Sequence, residues 1–172
     1  MSIAAAQRTL SEPVGPSQYD FVYIPCRHHL RHSAVRKLLT AIKVPQSRII
    51  DIQFPAKGTV ALLVHSDYKQ QLLEILEKQK VTPKANFDPT APTVIGDPKH
   101  ASLSAKDKSN MAKDLLVSRL LRTCLRLPMH LGNSVARYFA QSNGIVQIPA
   151  DAYSKYLADR KAGTAPSVQD SQ

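Results

Sequence analysis

Tryptophan is absent from this chain, and Phe and Tyr together supply only 6% of it. A surface that stacks bases or rings would therefore rest on few side chains. Acidic residues are short as well: 13 Asp and Glu stand against 23 Lys and Arg, a net charge of +10. That imbalance favours a polyanionic partner, whether RNA, DNA or an anionic membrane surface, without choosing among them. Only two cysteines occur, Cys26 and Cys124, so no disulfide framework is implied.

No run approaches the ~18 apolar residues needed to span a bilayer. Residues 1–18 carry one early Arg and no apolar stretch of signal-peptide length. A cytoplasmic or nuclear location is expected. Catalytic signatures are missing too: there is no G-x-x-x-x-G-K-[ST], G-x-G-x-x-G, H-E-x-x-H or G-x-S-x-G. No enzymatic activity and no cofactor are expected.

What is present is 43% hydrophobic and 21% charged over 172 residues, enough for one packed α/β domain and a helical appendage. Residues 1–18 hold Ser, Pro, Gly and Gln and read as a disordered tail. Residues 20–25 are aromatic and β-branched and end on Pro25, a first strand. After a polar basic loop, Ser33 is a plausible N-cap for a helix over 34–42, with Val35, Leu38, Leu39 and Ile42 at helical spacing.

Residues 48–54 alternate, placing Ile50, Ile52 and Phe54 on one face of a second strand. A hairpin connection at 55–58 leads to a third strand over 59–65. Ser66 or Asp67 then caps a helix over 68–79, and residues 80–86 are assigned a fourth strand.

The order β-α-β-β-α-β predicts an α+β fold of ferredoxin-like type, a sheet with two helices on one face, over residues 19–86. Prolines mark a linker at 87–103. A C-terminal helical module follows at 104–161. It has a long helix from Ser104 stopped by Pro128, a second over 131–142 ended by Asn143-Gly144, and a third starting near Pro149. Residues 162–172 are polar and read as a second disordered tail.

The β-α-β-β-α-β order, with Phe21-Val22-Tyr23-Ile24-Pro25-Cys26 in the first strand, resembles the RNA-recognition motif. In that family the first strand carries an outward aromatic, which Tyr23 matches. The third-strand motif K/R-G-F/Y-G/A-F-V-x-F/Y aligns with Lys57-Gly58-Thr59-Val60-Ala61-Leu62-Leu63-Val64. Lys57 and Gly58 fit, while Thr59 and Ala61 replace the two stacking aromatics. The arrangement also resembles fungal retrotransposon-associated gag-like proteins, the first reading frame of LINE-type elements. That likeness implies a ribonucleoprotein component and assigns no residue.

Two basic clusters are candidate nucleic-acid sites. Around the loop after the first strand stand Arg27, His28, His29, Arg31, His32, Arg36 and Lys37. Residues 26–57, which add Lys57, hold seven Lys and Arg against one acid. A loop running into a helix N-terminus suits phosphate, and the histidines would add charge below about pH 6.5. Cys26, His28, His29 and His32 are zinc-type ligands, but the strand-to-helix change between them breaks one-face geometry, and no metal is expected.

On the long helix, Lys108, Arg119, Arg122 and Arg126 share a stripe, because offsets of 11, 14 and 18 residues return to nearly one angle. The alternative for the first cluster is a solvated loop whose charges keep the protein soluble, and for the second it is the outer face of a small helical bundle.

Tyr19, Phe21 and Tyr23 alternate onto one strand face, where Leu63 and Ile49 are expected to join them. They either stack bases or are covered by the helical module folding back, and an apolar patch of this size favours cover.

The expected function is binding of RNA or single-stranded nucleic acid with weak sequence preference. The alternatives are a protein-interaction or self-assembly module working through the long helix, and peripheral binding to anionic membranes.

Overall fold

The computed structural model describes residues 2–10 and 17–162. In chain order it contains α1 (Ile3–Thr9), β1 (Tyr19–Pro25), α2 (His32–Ala41), β2 (Asp51–Ala56), β3 (Thr59–His65), α3 (Ser66–Lys78), α4 (Ala105–Arg126), α5 (Met129–Gln141) and α6 (Ala150–Lys161). Single 3-10 turns lie at Gln46–Arg48, Pro92–Val94 and Pro98–His100. The fold is mixed α+β, and its sheet is antiparallel with strand order β1-β3-β2.

Two cores sit on the two faces of that sheet. Val22, Ile52, Leu62 and Val64 point to one side and pack with Val35 and Leu39 of α2 and Leu72 and Leu76 of α3. Tyr19, Phe21, Ala61 and Leu63 point to the other and pack with Leu120 and Cys124 of α4, Val135 and Phe139 of α5, and Tyr156 of α6. The helical module therefore covers the sheet face that carries the aromatics. The central strand β3 is buried from Thr59 to Val64, which explains its unbroken apolar run: a strand packed on both faces has no solvent side to alternate toward.

The β-α-β-β-α order is present, but the fourth strand is not: residues 80–86 have no strand conformation. Two local features account for this. Pro83 has no N–H to contribute to a ladder. The outward N–H of Phe21 on β1 is bonded by the Asp20 carboxylate at 2.8 Å. One ladder-like bond survives, from Lys84 N to Tyr23 O at 2.8 Å.

The second strand also starts later than expected. Residues 46–48 form a 3-10 turn instead, and Arg48 is buried with its guanidinium 4.5 Å from the Tyr68 ring centroid. The shift exchanges two side chains. Ile49 joins the first core, away from the aromatics, and Ile50 packs against the second, away from Ile52 and Phe54.

Other boundaries move by a few residues. Helix α2 begins at His32, with Arg31 rather than Ser33 at the N-cap. Helix α3 begins at Ser66, behind His65. Helix α5 starts at Met129 and ends at Gln141.

Ser104 caps α4 by accepting the Asp107 N–H at 3.1 Å, as its sequence position predicts. The expected linker is packed rather than loose: Thr90 is buried, and its carbonyl accepts from Ser109 Oγ at 2.7 Å. In the expected N-terminal tail, residues 3–9 form the helix α1, consistent with the high helix propensity of its three alanines. Residues 11–16 and 163–172, both assigned to tails, lie outside the described part of the chain.

The two cysteines occupy different environments. Cys26 is partly exposed and Cys124 is buried, its thiol pushed up to about 12 chiefly by that burial. A thiolate-selective reagent at pH 8 is expected to modify one thiol in the native protein, Cys26, and both after denaturation. Equal native reaction rates at the two positions would contradict the second core.

Candidate nucleic-acid interface

At its C-terminal end β1 runs to Pro25, and the next N–H, that of Cys26, donates to Gly58 O at 2.9 Å. Gly58 turns the β2–β3 hairpin with φ +78, a conformation that glycine adopts without steric cost. This bond brings the hairpin tip, with Lys57, beside the loop that holds Arg27, His28 and His29. All four side chains are exposed.

Between them lies a cleft of about 180 Å³, floored by Leu30, Phe54 and Ala56 and rimmed by the four basic or imidazole groups. No acidic residue lines it. Cys26 closes one side, its Sγ donating to His28 O at 2.8 Å.

The rest of the first cluster does not converge there. His32 donates from Nε2 to Ile52 O at 2.8 Å and sets its ring edge against Phe54 at 5.0 Å. Arg36 is half-buried, and its Nη1 donates to Gln46 Oε1 at 3.1 Å. Arg31 and Lys37 are exposed, at the N-cap and on the body of α2.

The α4 stripe keeps its angular register but is not an open track of cations. Thr123 donates to Asp51 Oδ2 at 2.6 Å and accepts from Gln53 Nε2 at 3.0 Å. Arg126 reaches the same carboxylate at 3.6 Å. Arg119 is half-buried, and its Nε is buried without a hydrogen-bond partner. Burial lowers its guanidinium pKa, with the Tyr23 phenol opposing that shift and Arg122 adding to it. Lys108 is half-buried, while Arg122 and Arg126 are exposed, the latter beside Asp51.

No family model, curated protein or solved structure matches this chain.

Tyr23, the expected stacking residue, is already packed. Its ring lies 6.1 Å from Phe21 and 4.7 Å from Phe87. Burial raises its phenol well above the ordinary tyrosine range, Asp20 and Asp88 add to the rise, and Arg119 opposes it. The ring is thus part of the seam between β1 and the segment after α3.

Among the described residues no three His, Cys, Asp or Glu side chains are grouped to hold a metal. No helix among them is long and apolar enough to cross a membrane.

The residue missed by sequence reasoning is Phe54. Its alternation with Ile52 assigns it to the core, and it does pack there partly. Its place next to the Pro55-to-Gly58 turn was the signal that it also borders a hairpin tip.

Proposed function

We propose that this chain binds RNA or single-stranded nucleic acid, with weak sequence preference, by meeting phosphates at the Arg27, His28, His29 and Lys57 end of the sheet. The observation that carries this reading is the hairpin tip. It places Lys57 beside a loop thirty residues away in sequence and makes a basic rim with no acid in it. Arg31, at the start of α2, would extend that rim along the N-terminal turn, where the helix dipole also favours an anion. The β-α-β-β-α order supports a relationship to the RNA-recognition motif and to gag-like proteins. On this reading the sheet face holds the helical module in place of stacked bases, and charge is left as the main source of affinity.

Titration with single-stranded RNA, single-stranded DNA and duplex DNA at two salt concentrations tests this. Binding is expected to fall steeply with salt. Changing Arg27, Arg31 and Lys57 together to Gln should reduce the slope of log K against log salt by about 2. An unchanged slope would remove this end from the interface.

A second reading, a protein-assembly module, is favoured by the helical cover on the sheet. It predicts concentration-dependent mass in the absence of nucleic acid, and retention of that behaviour in the triple variant.

A further inference from the structure

We infer that the cleft at the hairpin end takes one unpaired nucleobase, so that the protein selects single strands over duplex. This deepens the reading above and rests on it. At about 180 Å³ the cleft is smaller than the roughly 300–1,000 Å³ of cofactor pockets. It suits one planar ring rather than a dinucleotide.

Its floor is apolar, and the aromatic ring in that floor is held in place before any ligand arrives. Phe54 is braced by the edge of His32, whose own Nε2 is tied to Ile52 O. The ring of His29 also lines the cleft, tilted by 43° to Phe54 with 6.3 Å between centroids. Arg27 and Lys57 lie on the rim, where the phosphates flanking an inserted base would pass. A paired and stacked base has no free face to offer such a cleft, whereas splayed bases in single strands stack on aromatic side chains.

The test uses a ten-nucleotide RNA carrying one 2-aminopurine, free and annealed to its complement, at fixed salt. Wild type is expected to change the probe's fluorescence in the single strand and to bind the duplex more weakly. Phe54→Leu keeps an apolar side chain against the core but removes the ring. It should weaken single-strand binding by about 5- to 100-fold and leave the salt slope unchanged. Ala56→Leu, which fills the cleft from the hairpin side, should do the same, and covers the case in which Phe54→Leu fails to fold.

If folded Ala56→Leu binds single strands as wild type does, or if wild type binds single strand and duplex equally, the base site is overturned and phosphate binding stands. If wild type binds neither, both readings fall together.

Discussion

Gly132→Ala is expected to destabilise the protein by about 3 kcal/mol or more, although alanine favours a helix over glycine by roughly 1 kcal/mol. Gly132 lies one turn into α5, where the helix crosses the end of α4, and its N–H donates to Pro128 O at 2.8 Å. A Cβ at this position would press into the Cys124 carbonyl oxygen and sit 2.6 Å from Arg160 Nη2.

Neither neighbour can move freely. Cys124 O is backbone in the last turn of α4. Arg160, on α6, donates from Nη2 to Cys124 O and to Leu127 O, the latter at 2.8 Å, and from Nε to the Tyr156 hydroxyl at 3.1 Å. The Tyr156 hydroxyl in turn donates to Asn133 Oδ1 at 2.7 Å. One arginine thus satisfies carbonyls that the end of α4 leaves without a helical partner, and the missing Cβ of Gly132 makes room for it. Urea melts followed by far-UV circular dichroism measure the effect. A variant as stable as wild type, or more so, would show that helix propensity decides at this position and that the three helices are not in such close contact.

Stability is expected to fall steeply above pH 9. Burial pushes the Cys124 thiol up to about 12, holds Tyr23 well above the ordinary tyrosine range, and raises Tyr68 and Tyr156. In each case the folded state keeps a proton that the unfolded chain releases near the ordinary value of the group. The unfolded state therefore binds fewer protons as pH rises, and unfolding becomes more favourable. The stabilisation is fully present below about pH 8 and is lost progressively as pH climbs from 9 toward 12.

By pH 10.5, Cys124 alone would account for a loss of roughly 2 kcal/mol, with the tyrosines adding to it above pH 10. Urea midpoints at pH 7.5, 9 and 10.5 check the trend, and Cys124→Ala should flatten the decline between 9 and 10.5. A midpoint that stays constant through that range would mean that water reaches these groups in the folded protein.

Much of the fold is legible in the sequence because the signals are local. The alternation of Tyr19, Phe21 and Tyr23 against Val22 and Ile24 fixes two faces of β1, since successive side chains of a strand point to opposite sides. Ser104 and Pro128 bracket α4 through a cap and a missing donor. The absence of third-strand aromatics at Thr59 and Ala61 already argues against a base-stacking sheet, and in the structure Ala61 is buried under the helical module.

What the sequence left open depends on groups far apart along the chain. Residues 80–86, assigned a fourth strand, do not form one: Pro83 lacks a donor, and the Asp20 carboxylate occupies the outward N–H of Phe21. The helical wheel placed Arg119 and Arg126 on one stripe. Only packing set Arg119 near Tyr23 and Arg126 within 3.6 Å of Asp51, partners on the sheet that no periodicity links to α4.

The same holds for the candidate site. Residue types alone marked the basic loop, but the meeting of Arg27 with Lys57 and Phe54 required the Cys26-to-Gly58 hydrogen bond at the hairpin tip. Sequence periodicity reports which face of its own element a side chain occupies. Which cations remain free for a phosphate is decided by the surfaces that those faces meet.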